Sequence, residues 1–593
     1  GQSGSRADCL HGGTAVTPYF EKPPRIRIAI PALGLAAFLG FVGVRLYLIQ
    51  IVRHHDLRTR ANAQYVRRIP VASKRGTIYD RRGRAVAISL DAASVFAHPQ
   101  LVQDPIATAS RLARVLKLPA REIQKKLRSD RPFIWIQRKV DLSRAEAVGN
   151  LALPGVGLVP EGKRYYPRRN LAAHVIGFAG LDDKGLEGVE LKYDHLLTGG
   201  VRSLSGRVDA LGRVVFREVE DTPAASDLFL TIDEAIQHVA ERELDVAIRR
   251  SGAKSGTVIV VDPATGEILA LANVPSYNLN TFGSSPPAFR RNRALTDPYE
   301  PGSAFKLILA AAALEEGLVE PGDLFHGEDG FIEVAGVKIR DHEKFGRMTF
   351  RDVVAFSSNV GAVKVGMKVG KDLFYTYITS FGFGLPTGVD LPGESPGLIR
   401  RPQQWSRLSI GALSIGHEIS ATPIQLITAV AAVANGGHLV RPHVVKAVRD
   451  PDGRIKEIRT FLVRRVISPE TARTLASMLT EVVQRGTGQA AAIPGTQVAG
   501  KTGTAQKFDQ NTGRYSRTKV VASFIGFLPA EDPRLAILVL IDEPQRFTWG
   551  GSVAAPAFRE IAREILNYLE ISPLHARVDR VARRPYETPG TAN

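Results

Sequence analysis

The hydrophobic positions of this chain change their spacing several times, and each change predicts a different element. Residues 28–44 carry no charge, and the apolar character continues past Arg45 to Val52. The 25 positions from 28 to 52 would extend about 37 Å as a helix, enough to span a bilayer with some tilt. The segment is apolar on every face, unlike a buried soluble helix, and it is too long for a cleaved signal peptide. We therefore predict an uncleaved membrane anchor over residues 26–52.

The residues before the anchor are polar and rich in glycine and proline, so residues 1–25 are expected to form a disordered tail. Cationic residues flank the anchor on both sides and are denser after it. The positive-inside rule alone would therefore favour an extracytoplasmic tail, but long domains cross membranes largely regardless of charge. The orientation has to follow from the function.

Between residues 53 and 222, strand-like and helix-like patterns alternate without an obvious group of reactive residues. Arg75–Ala85 is typical of a strand that leads into a turn, and Leu101–Arg128 has the apolar period of two short helices. The second pattern resembles a DNA-binding helix-turn-helix, but a small packing subdomain uses it far more often. We predict a non-catalytic pedestal or interaction domain over residues 53–222.

The pattern becomes more regular after a boundary at residues 221–227. A strand is predicted at Leu228–Ile232, followed by a long amphipathic helix over Asp233–Arg250 with Asp233 as its N-cap. Two hairpins enclose a helical stretch over roughly residues 304–440, with strands predicted at 256–262, 267–273, 520–528 and 534–542. This order predicts an antiparallel sheet flanked by helices, with an all-helical subdomain beside it. The expected fold class is multidomain α+β, with a second large domain over residues 223–570 and a tail over 571–593.

Composition and charge narrow the choice of partners. The chain has 78 Lys and Arg against 59 Asp and Glu, a net charge of +19, which suits a nucleic acid, a membrane surface or an acidic wall polymer. No zinc-finger spacing or RNA-binding motif supports a nucleic acid, and we predict none as a partner. The single cysteine, Cys9, excludes an internal disulfide and a cysteine-based metal cluster.

The candidate nucleophile is Ser303, in the stretch Glu300–Ala310. A Pro-Gly turn is followed by strong helix formers, so Ser303 falls in the first turn of a helix and Lys306 lies one turn later on the same face. A serine hydroxyl becomes a good nucleophile when a neighbour takes its proton, which a lysine can do once burial lowers its pKa. The helix N-terminus also presents backbone N–H groups to a developing oxyanion.

Ser-x-x-Lys alone is a weak signal, because it recurs at Ser251–Lys254 and Ser516–Lys519, where strands follow instead of a helix. Two later motifs strengthen the assignment to Ser303. Ser357 and Asn359 come from one short loop between helix-like segments. Residues 501–504, Lys-Thr-Gly-Thr, lie on a strand-like stretch, where the glycine is expected to permit close approach of a ligand. Both fragments have chance matches, at 276–278 and 254–256, so the order and setting of all three motifs carry the argument.

Ser-x-x-Lys, Ser-x-Asn and Lys-Thr-Gly in this order are the signature of penicillin-binding proteins and serine β-lactamases. Over about residues 26–570 the chain resembles the class B penicillin-binding proteins, and within them the cell-division type. The residues outside the three motifs that carry this resemblance are Arg75–Ala87, Arg164–Pro167, Gly185–Glu190, Phe381–Glu394 and Ser414–Pro423. The first 20 and last 20 or so residues show no such resemblance.

The resemblance implies D,D-transpeptidation of peptidoglycan without a metal or organic cofactor. Ser303 would attack the penultimate D-Ala carbonyl of a stem peptide, and Lys306 would act as the base. Ser357 would relay a proton to the leaving amine, while Asn359 would hydrogen-bond the substrate amide and Lys306. An amine of a neighbouring stem peptide would resolve the acyl-enzyme into a crosslink, and β-lactams would acylate the same serine.

The third motif would bind the substrate carboxylate. Lys501 would supply positive charge near this carboxylate, and the residues Thr502, Gly503 and Thr504 would contact the substrate. The backbone N–H groups of Ser303 and Thr504 would form the oxyanion hole. The implied substrates are stem peptides on lipid II-derived glycan strands. The implied partners are a SEDS-type lipid II polymerase and small single-span division proteins.

The resemblance also implies a place in the cell, with the tail in the cytoplasm and the catalytic domain outside the cytoplasmic membrane at the division septum. Three alternatives remain at this stage. A hydrolytic β-lactamase shares the motifs but needs a group that activates water, and it has little use for an anchor and a pedestal. An elongation-type transpeptidase differs in partners and not in chemistry. A catalytically dispensable scaffold would tolerate Ser303→Ala.

Overall fold

The computed structural model describes residues 25–58, 66–72, 74–199, 201–208, 214–218, 224–509 and 513–571. The expectations for residues 1–24 and 572–593 lie outside the described residues. By its internal contacts the chain divides into two units, residues 1–69 with 203–219, and residues 70–202 with 220–593.

The first unit contains the apolar segment near the N-terminus. An α-helix over Arg25–Tyr47 continues as a π-helical turn over Leu48–Val52. Within it Ala29–Val52 is a span of 24 residues with a mean hydropathy of 2.0 and no buried residue. Its length and composition suffice to cross a membrane, consistent with the anchor predicted for residues 26–52. A three-stranded sheet, most of whose residues fall in this unit, is formed in this order by Val66–Ala72, Val201–Val208 and Val214–Glu218.

The second unit begins with a mixed sheet of seven strands. Its strands in spatial order are Ile455–Glu457, Val445–Arg449, Asp227–Leu230, Ile78–Tyr79, Ala85–Ala97 and Ile134–Asp141, with Val156–Tyr165 also paired to Ala85–Ala97. The three longer helices of this part are Pro105–Leu116, Ala120–Leu127 and Leu142–Gly149, and the three short ones are Ala173–Ile176, Gly188–Lys192 and Asp194–Leu197.

The two helices predicted within residues 101–128 are confirmed, and their apolar faces are used for packing. Leu112 and Leu116 of the first helix and Ile123 and Leu127 of the second lie in one core with sheet residues such as Val95. The apolar residues of both helices are thus buried inside the protein, as expected for a small packing subdomain and not for a helix that reads DNA.

Three stretches from the pedestal region meet in a buried ion cluster. Arg75 donates from Nε to Glu190 Oε2 at 2.9 Å, and Arg164 donates from Nε to Glu190 Oε1 at 2.6 Å. Tyr166 donates its hydroxyl to the same Oε1 at 3.2 Å, and Asp194 accepts from the Arg75 guanidinium at 2.5 Å. The side chains of Arg75 and Glu190 are fully buried, at 0% exposure each. These stretches therefore serve the internal structure of the pedestal.

The larger part of the second unit is built on an antiparallel sheet of five strands. We number its elements α1 (Glu234–Ser251), β1 (Ser255–Val261), β2 (Ile268–Val274), α2 (Lys306–Glu315), α3 (Phe350–Ala355), α4 (Asn359–Val369), β3 (Ala499–Asp509), β4 (Arg514–Leu528), β5 (Leu535–Asp542) and α5 (Gly550–Tyr568). The strand order is β2-β1-β5-β4-β3, which places β3 at one edge. Asp233 caps α1 by accepting from the N–H groups of Ala235 and Ile236, as predicted.

The sheet separates two hydrophobic cores. One face packs with α1 and α5, through residues such as Leu244, Phe524 and Phe558. The other face packs with α2 and the helical stretch, through residues such as Ile525 and Leu309. The α+β fold class is confirmed. The further helices are Pro287–Arg290, Arg293–Thr296, Lys371–Ser380, Ser409–Ser414, Pro423–Ala434 and Pro469–Gln484.

The subdomain predicted to be all helical also contains short strands, because strands of three or four residues are too short to show a period in the sequence. They pair antiparallel as Leu324–His326 with Arg347–Thr349, Phe331–Val334 with Val337–Arg340, and His438–Val440 with Leu462–Arg465. The second pair leads into the candidate site.

Candidate active site

Ser303 lies in a single 3₁₀ turn, Gly302–Phe305, that runs directly into α2. Lys306 is the first residue of α2 and is 3% exposed. The residues that follow are leucine, isoleucine and alanine, strong helix formers with small or apolar side chains that pack in the core. The Ser303 side chain is therefore half-buried at the edge of the core, and the Lys306 side chain is buried beneath it.

The turn is held by close backbone approaches that only glycine allows. Gly302 has φ +55°, and a Cβ there would lie 2.7 Å from the carbonyl oxygen of Thr504. A Cβ on Gly503 would overlap Ser523 Oγ and come within 3.1 Å of the carbonyl oxygen of Pro301. Gly503 thus permits β3 to approach the chain's own Ser303 turn. The sequence expectation gave this glycine a role toward a ligand, and the structure adds an internal reason for glycine at this position.

Ser357 lies between α3 and α4, as predicted, and Asn359 is the first residue of α4. Ser357 has φ +60°, a left-handed conformation that non-glycine residues rarely adopt and that is often found at functional sites. Asn359 begins α4, and Ser358 is the N-cap of that helix. Asp341 holds this junction, because its carboxylate accepts from Ser358 Oγ at 2.8 Å and also from the backbone N–H of Asn359.

Two buried lysines converge on Ser357. Lys306 Nζ donates to the Ser357 carbonyl oxygen at 2.6 Å, to Ser357 Oγ at 3.3 Å and to Asn359 Oδ1 at 2.7 Å. Lys501 Nζ donates to Ser357 Oγ at 2.9 Å and to the Thr502 carbonyl oxygen at 3.3 Å. Among the described residues, no hydrogen bond joins Lys306 to Ser303. The three motifs are therefore connected through the hydroxyl of Ser357.

Burial changes the protonation of both lysines. Desolvation lowers the pKa of Lys306 to about 7, although the negative charge of Asp341 opposes this. Desolvation, helped by the nearby Lys306, lowers the pKa of Lys501 well below its usual value. Lys306 therefore has a neutral amine available near neutral pH, as a base requires. The positive charge expected on Lys501 is disfavoured in the unliganded site, and a substrate carboxylate nearby would restore it.

The site opens into a cleft of about 720 Å³. Of the predicted site residues, Ser303, Ser357, Asn359, Thr502 and Thr504 line it. Lys306 and Lys501 lie beneath its surface, with exposures of 3% and 0%. Within the described part of the chain, no group of three His, Cys, Asp or Glu side chains is placed to hold a metal ion.

The cleft also has residues that the three motifs did not reveal. Thr487 lies 2.7 Å from Thr502 through their hydroxyl oxygens, and the hydroxyl of Thr504 accepts from the N–H of Gly550 at 3.0 Å. The remaining lining residues with polar or aromatic side chains include Arg340, Asp341, His342, His417, Gln489, Gln506, Thr548, Trp549 and Ser552. His417 falls within a stretch that carried the family resemblance, and the others had no local sequence signal.

The turn before Ser303 is tied to the cleft wall by Glu300. Its carboxylate contacts His417 Nδ1 at 2.7 Å and accepts from the hydroxyl of Tyr515 at 3.0 Å. The rings of His417 and Tyr515 meet edge to face at 5.0 Å between centroids. These contacts position the Ser303 turn against the first residues of β4.

Comparison with known proteins identifies two domains. Residues 256–563 match the penicillin-binding protein transpeptidase domain, and residues 70–227 match the penicillin-binding protein dimerisation domain. The chain is 35% identical to stage V sporulation protein D of Bacillus subtilis, over 92% of this chain and 86% of that protein. It is 34% identical to the peptidoglycan D,D-transpeptidase FtsI of Escherichia coli, over 91% of each.

A solved structure has the same fold. Penicillin-binding protein 3 from Mycobacterium tuberculosis, in complex with aztreonam, is 31% identical to this chain with a TM-score of 0.68. The match covers 85% of this chain and 99% of that one.

Proposed function

Because the chain belongs to the class B penicillin-binding proteins, which are serine-type peptidoglycan D,D-transpeptidases, we propose that it crosslinks stem peptides through an acyl-enzyme on Ser303. The observation that carries this assignment to individual residues is the convergence of Lys306 and Lys501 on Ser357 beside Ser303, in a cleft large enough for a peptide.

Acylation uses the groups on the cleft floor. The neutral amine of Lys306 takes the proton of Ser303 as its Oγ attacks the penultimate D-Ala carbonyl. The backbone N–H groups of Ser303 and Thr504 stabilise the oxyanion. Ser357 passes its proton to the departing D-Ala amine and receives from Lys306 the proton that came from Ser303, and the C–N bond breaks to leave an ester on Ser303. Lys306 and Lys501 both hydrogen-bond Ser357 Oγ, which supports its role as the relay.

Deacylation reverses the same path with a new amine. The acceptor amine of a second stem peptide loses its proton through Ser357 and attacks the ester carbonyl, so that a new amide forms and Ser303 recovers its proton.

Thr502 and Thr504, both on the cleft wall, bind the substrate carboxylate together with Lys501, whose charge that carboxylate stabilises.

The pH dependence of acylation follows from the pKa of Lys306. Only the neutral amine accepts a proton, and its pKa is about 7. We expect the rate of Ser303 acylation to fall about tenfold for each pH unit below 7 and to level off above it. Stopped-flow acylation by benzylpenicillin from pH 5 to 9 measures this. A rate that is flat across pH 7 would contradict the assignment of Lys306 as base.

We also propose a place and partners for the enzyme. Residues 26–52 anchor it in the cytoplasmic membrane, with the tail of residues 1–25 in the cytoplasm and the catalytic domain outside. The pedestal, residues 53–222, couples a SEDS-type lipid II polymerase and small single-span division proteins to crosslinking at the septum. The similarity to FtsI supports this role in cell division. The similarity to a sporulation protein shows that relatives serve in other processes, so an elongation-type role is the alternative. Fluorescent-fusion imaging in dividing cells distinguishes a septal from a side-wall position.

A direct test separates transpeptidation from hydrolysis. The full-length protein in detergent, supplied with a D-Ala-D-Ala stem-peptide donor and an amine acceptor, is expected to release D-Ala and form crosslinked product. Mass spectrometry quantifies both products. If D-Ala is released but the donor is only hydrolysed, the protein is a carboxypeptidase. If neither D-Ala nor crosslinked peptide forms, the protein is a scaffold.

A further inference from the structure

Arg340, on the wall of the catalytic cleft, has no role in the mechanism above. It is the last residue of the strand Val337–Arg340, it is exposed, and it lines the same cleft as Ser303 and Asn359. Its guanidinium lies 5.7 Å from the ring centroid of Phe331, which restrains the side chain by a cation–π contact. Among the residues that the structure describes, Arg340 forms no ion pair. A cation without a carboxylate partner in a substrate cleft is available to an anion of the substrate.

The backbone of Arg340 is fixed beside the Ser-x-Asn motif. Asn359 donates from Nδ2 to the carbonyl oxygen of Arg340 at 2.6 Å. The next residue, Asp341, accepts hydrogen bonds from Ser358 Oγ and the N–H of Val360. Any movement of the Arg340 backbone would therefore disturb Asn359.

This position determines which part of the substrate Arg340 faces. The family resemblance implies that Asn359 hydrogen-bonds the substrate amide, and the proposed function gives the substrate carboxylate to Thr502, Thr504 and Lys501. Arg340 adjoins Asn359, so it lies on the side of the donor that precedes D-Ala-D-Ala. The buried Lys306 and Lys501 are both engaged with Ser357. Among the described residues that line the cleft, Arg340 is thus the arginine or lysine that is free to contact the preceding peptide.

We propose that Arg340 is a specificity residue that binds a carboxylate on the donor peptide segment preceding D-Ala-D-Ala. The inference rests on the proposed function and adds the class of donor: a stem peptide with a free acid at that point, in preference to an amidated or neutral one. A guanidinium fits this role because its planar fork can bind both carboxylate oxygens. Because Arg340 is exposed, the selectivity is modest and sensitive to salt.

The test uses two penicillins that differ by one carboxylate. Benzylpenicillin and its α-carboxy derivative carry the same ring, and the added carboxylate lies on the acyl side chain that takes the place of the preceding peptide. Second-order acylation rates of the full-length protein are measured for both. Arg340→Gln is expected to slow acylation by the carboxy derivative roughly threefold to tenfold relative to benzylpenicillin. The readout is the ratio of the acylation rate of the carboxy derivative to that of benzylpenicillin. Arg340→Lys should restore part of this ratio, and 0.5 M salt should reduce it in the wild type.

Lys338 provides a matched control. It lies on the same strand, is exposed, and places Nζ 5.0 Å from the same Phe331 ring, but it does not line the cleft. Lys338→Gln should leave the ratio of the two rates unchanged. An unchanged ratio in Arg340→Gln, or an equal change in Lys338→Gln, would overturn the proposal while leaving Ser303 acylation intact. No acylation of the wild type by benzylpenicillin would instead refute the proposed function and this inference with it.

Discussion

Replacing Lys306 with methionine is expected to lower the rate of Ser303 acylation by at least about a thousandfold, while the protein stays folded. Methionine has a similar length and suits the 3%-exposed position, but it cannot accept the proton of Ser303. The loss includes a second effect, because Ser357 and Asn359 lose the donor that now joins them. Acylation by benzylpenicillin, measured by rapid quench and intact mass, reports the rate.

The chain offers a matched control for this substitution. Ser251 and Lys254 have the same Ser-x-x-Lys spacing, but Ser251 ends α1, and the Lys254 side chain is 67% exposed with Glu543 as its partner. The Lys254→Met variant should be acylated by benzylpenicillin at the wild-type rate. If Lys306→Met, with a normal thermal melting curve, also kept more than about a tenth of that rate, Lys306 would not be the base.

Replacing Arg75 with alanine is expected to destabilise the pedestal by about 3–5 kcal/mol. The substitution leaves the fully buried carboxylate of Glu190 with Arg164 as its remaining cationic partner, and it removes a hydrogen bond to Asp194. Glu190 then keeps one of its two cationic partners, and removing a partner from a fully buried carboxylate is far more costly than losing a surface ion pair. Thermal and urea unfolding of the full-length protein measure the change.

The neighbouring Lys74 is the control for Arg75. Its side chain is 56% exposed, and it pairs with Asp91, which is 62% exposed. Lys74→Ala should cost at most about 1 kcal/mol. Equal melting temperatures for the two variants would show that the buried cluster does not stabilise the pedestal. A role of Arg75 in partner binding can be judged only after this effect on folding is known.

Local sequence patterns were sufficient for elements whose signal lies within the element itself. Apolar runs bounded by turn residues predicted strands at 256–262 and 534–542, and the structure has Ser255–Val261 and Leu535–Asp542. The cap at Asp233 and the helix after it follow from neighbouring residues, and the structure has both. The strand order was not predictable in this way, because Val261 pairs with Ala536, which lies 275 positions later in the chain.

The candidate site shows the same division. The motifs indicated Ser303, Lys306 and Ser357 because their spacing is short and their chemistry is distinctive. Asp341 gave no signal, since it belongs to no motif and reaches Asn359 only through the fold of the intervening strand and helix. Gly503 was expected to permit close approach of a ligand, whereas the close approach seen in the structure is that of the turn at Pro301, which no local pattern could reveal.

The measurement that tests the central claim most directly is intact-mass analysis of the detergent-solubilised full-length protein after incubation with a fluorescent penicillin, beside Ser303→Ala. We expect one adduct per chain in the wild type and none in the variant, with the label mapped to the peptide containing Ser303. A stoichiometric adduct that persists in Ser303→Ala would contradict the assignment of the nucleophile. Absence of a wild-type adduct while the drug is consumed would contradict the transpeptidase account and indicate a hydrolytic β-lactamase.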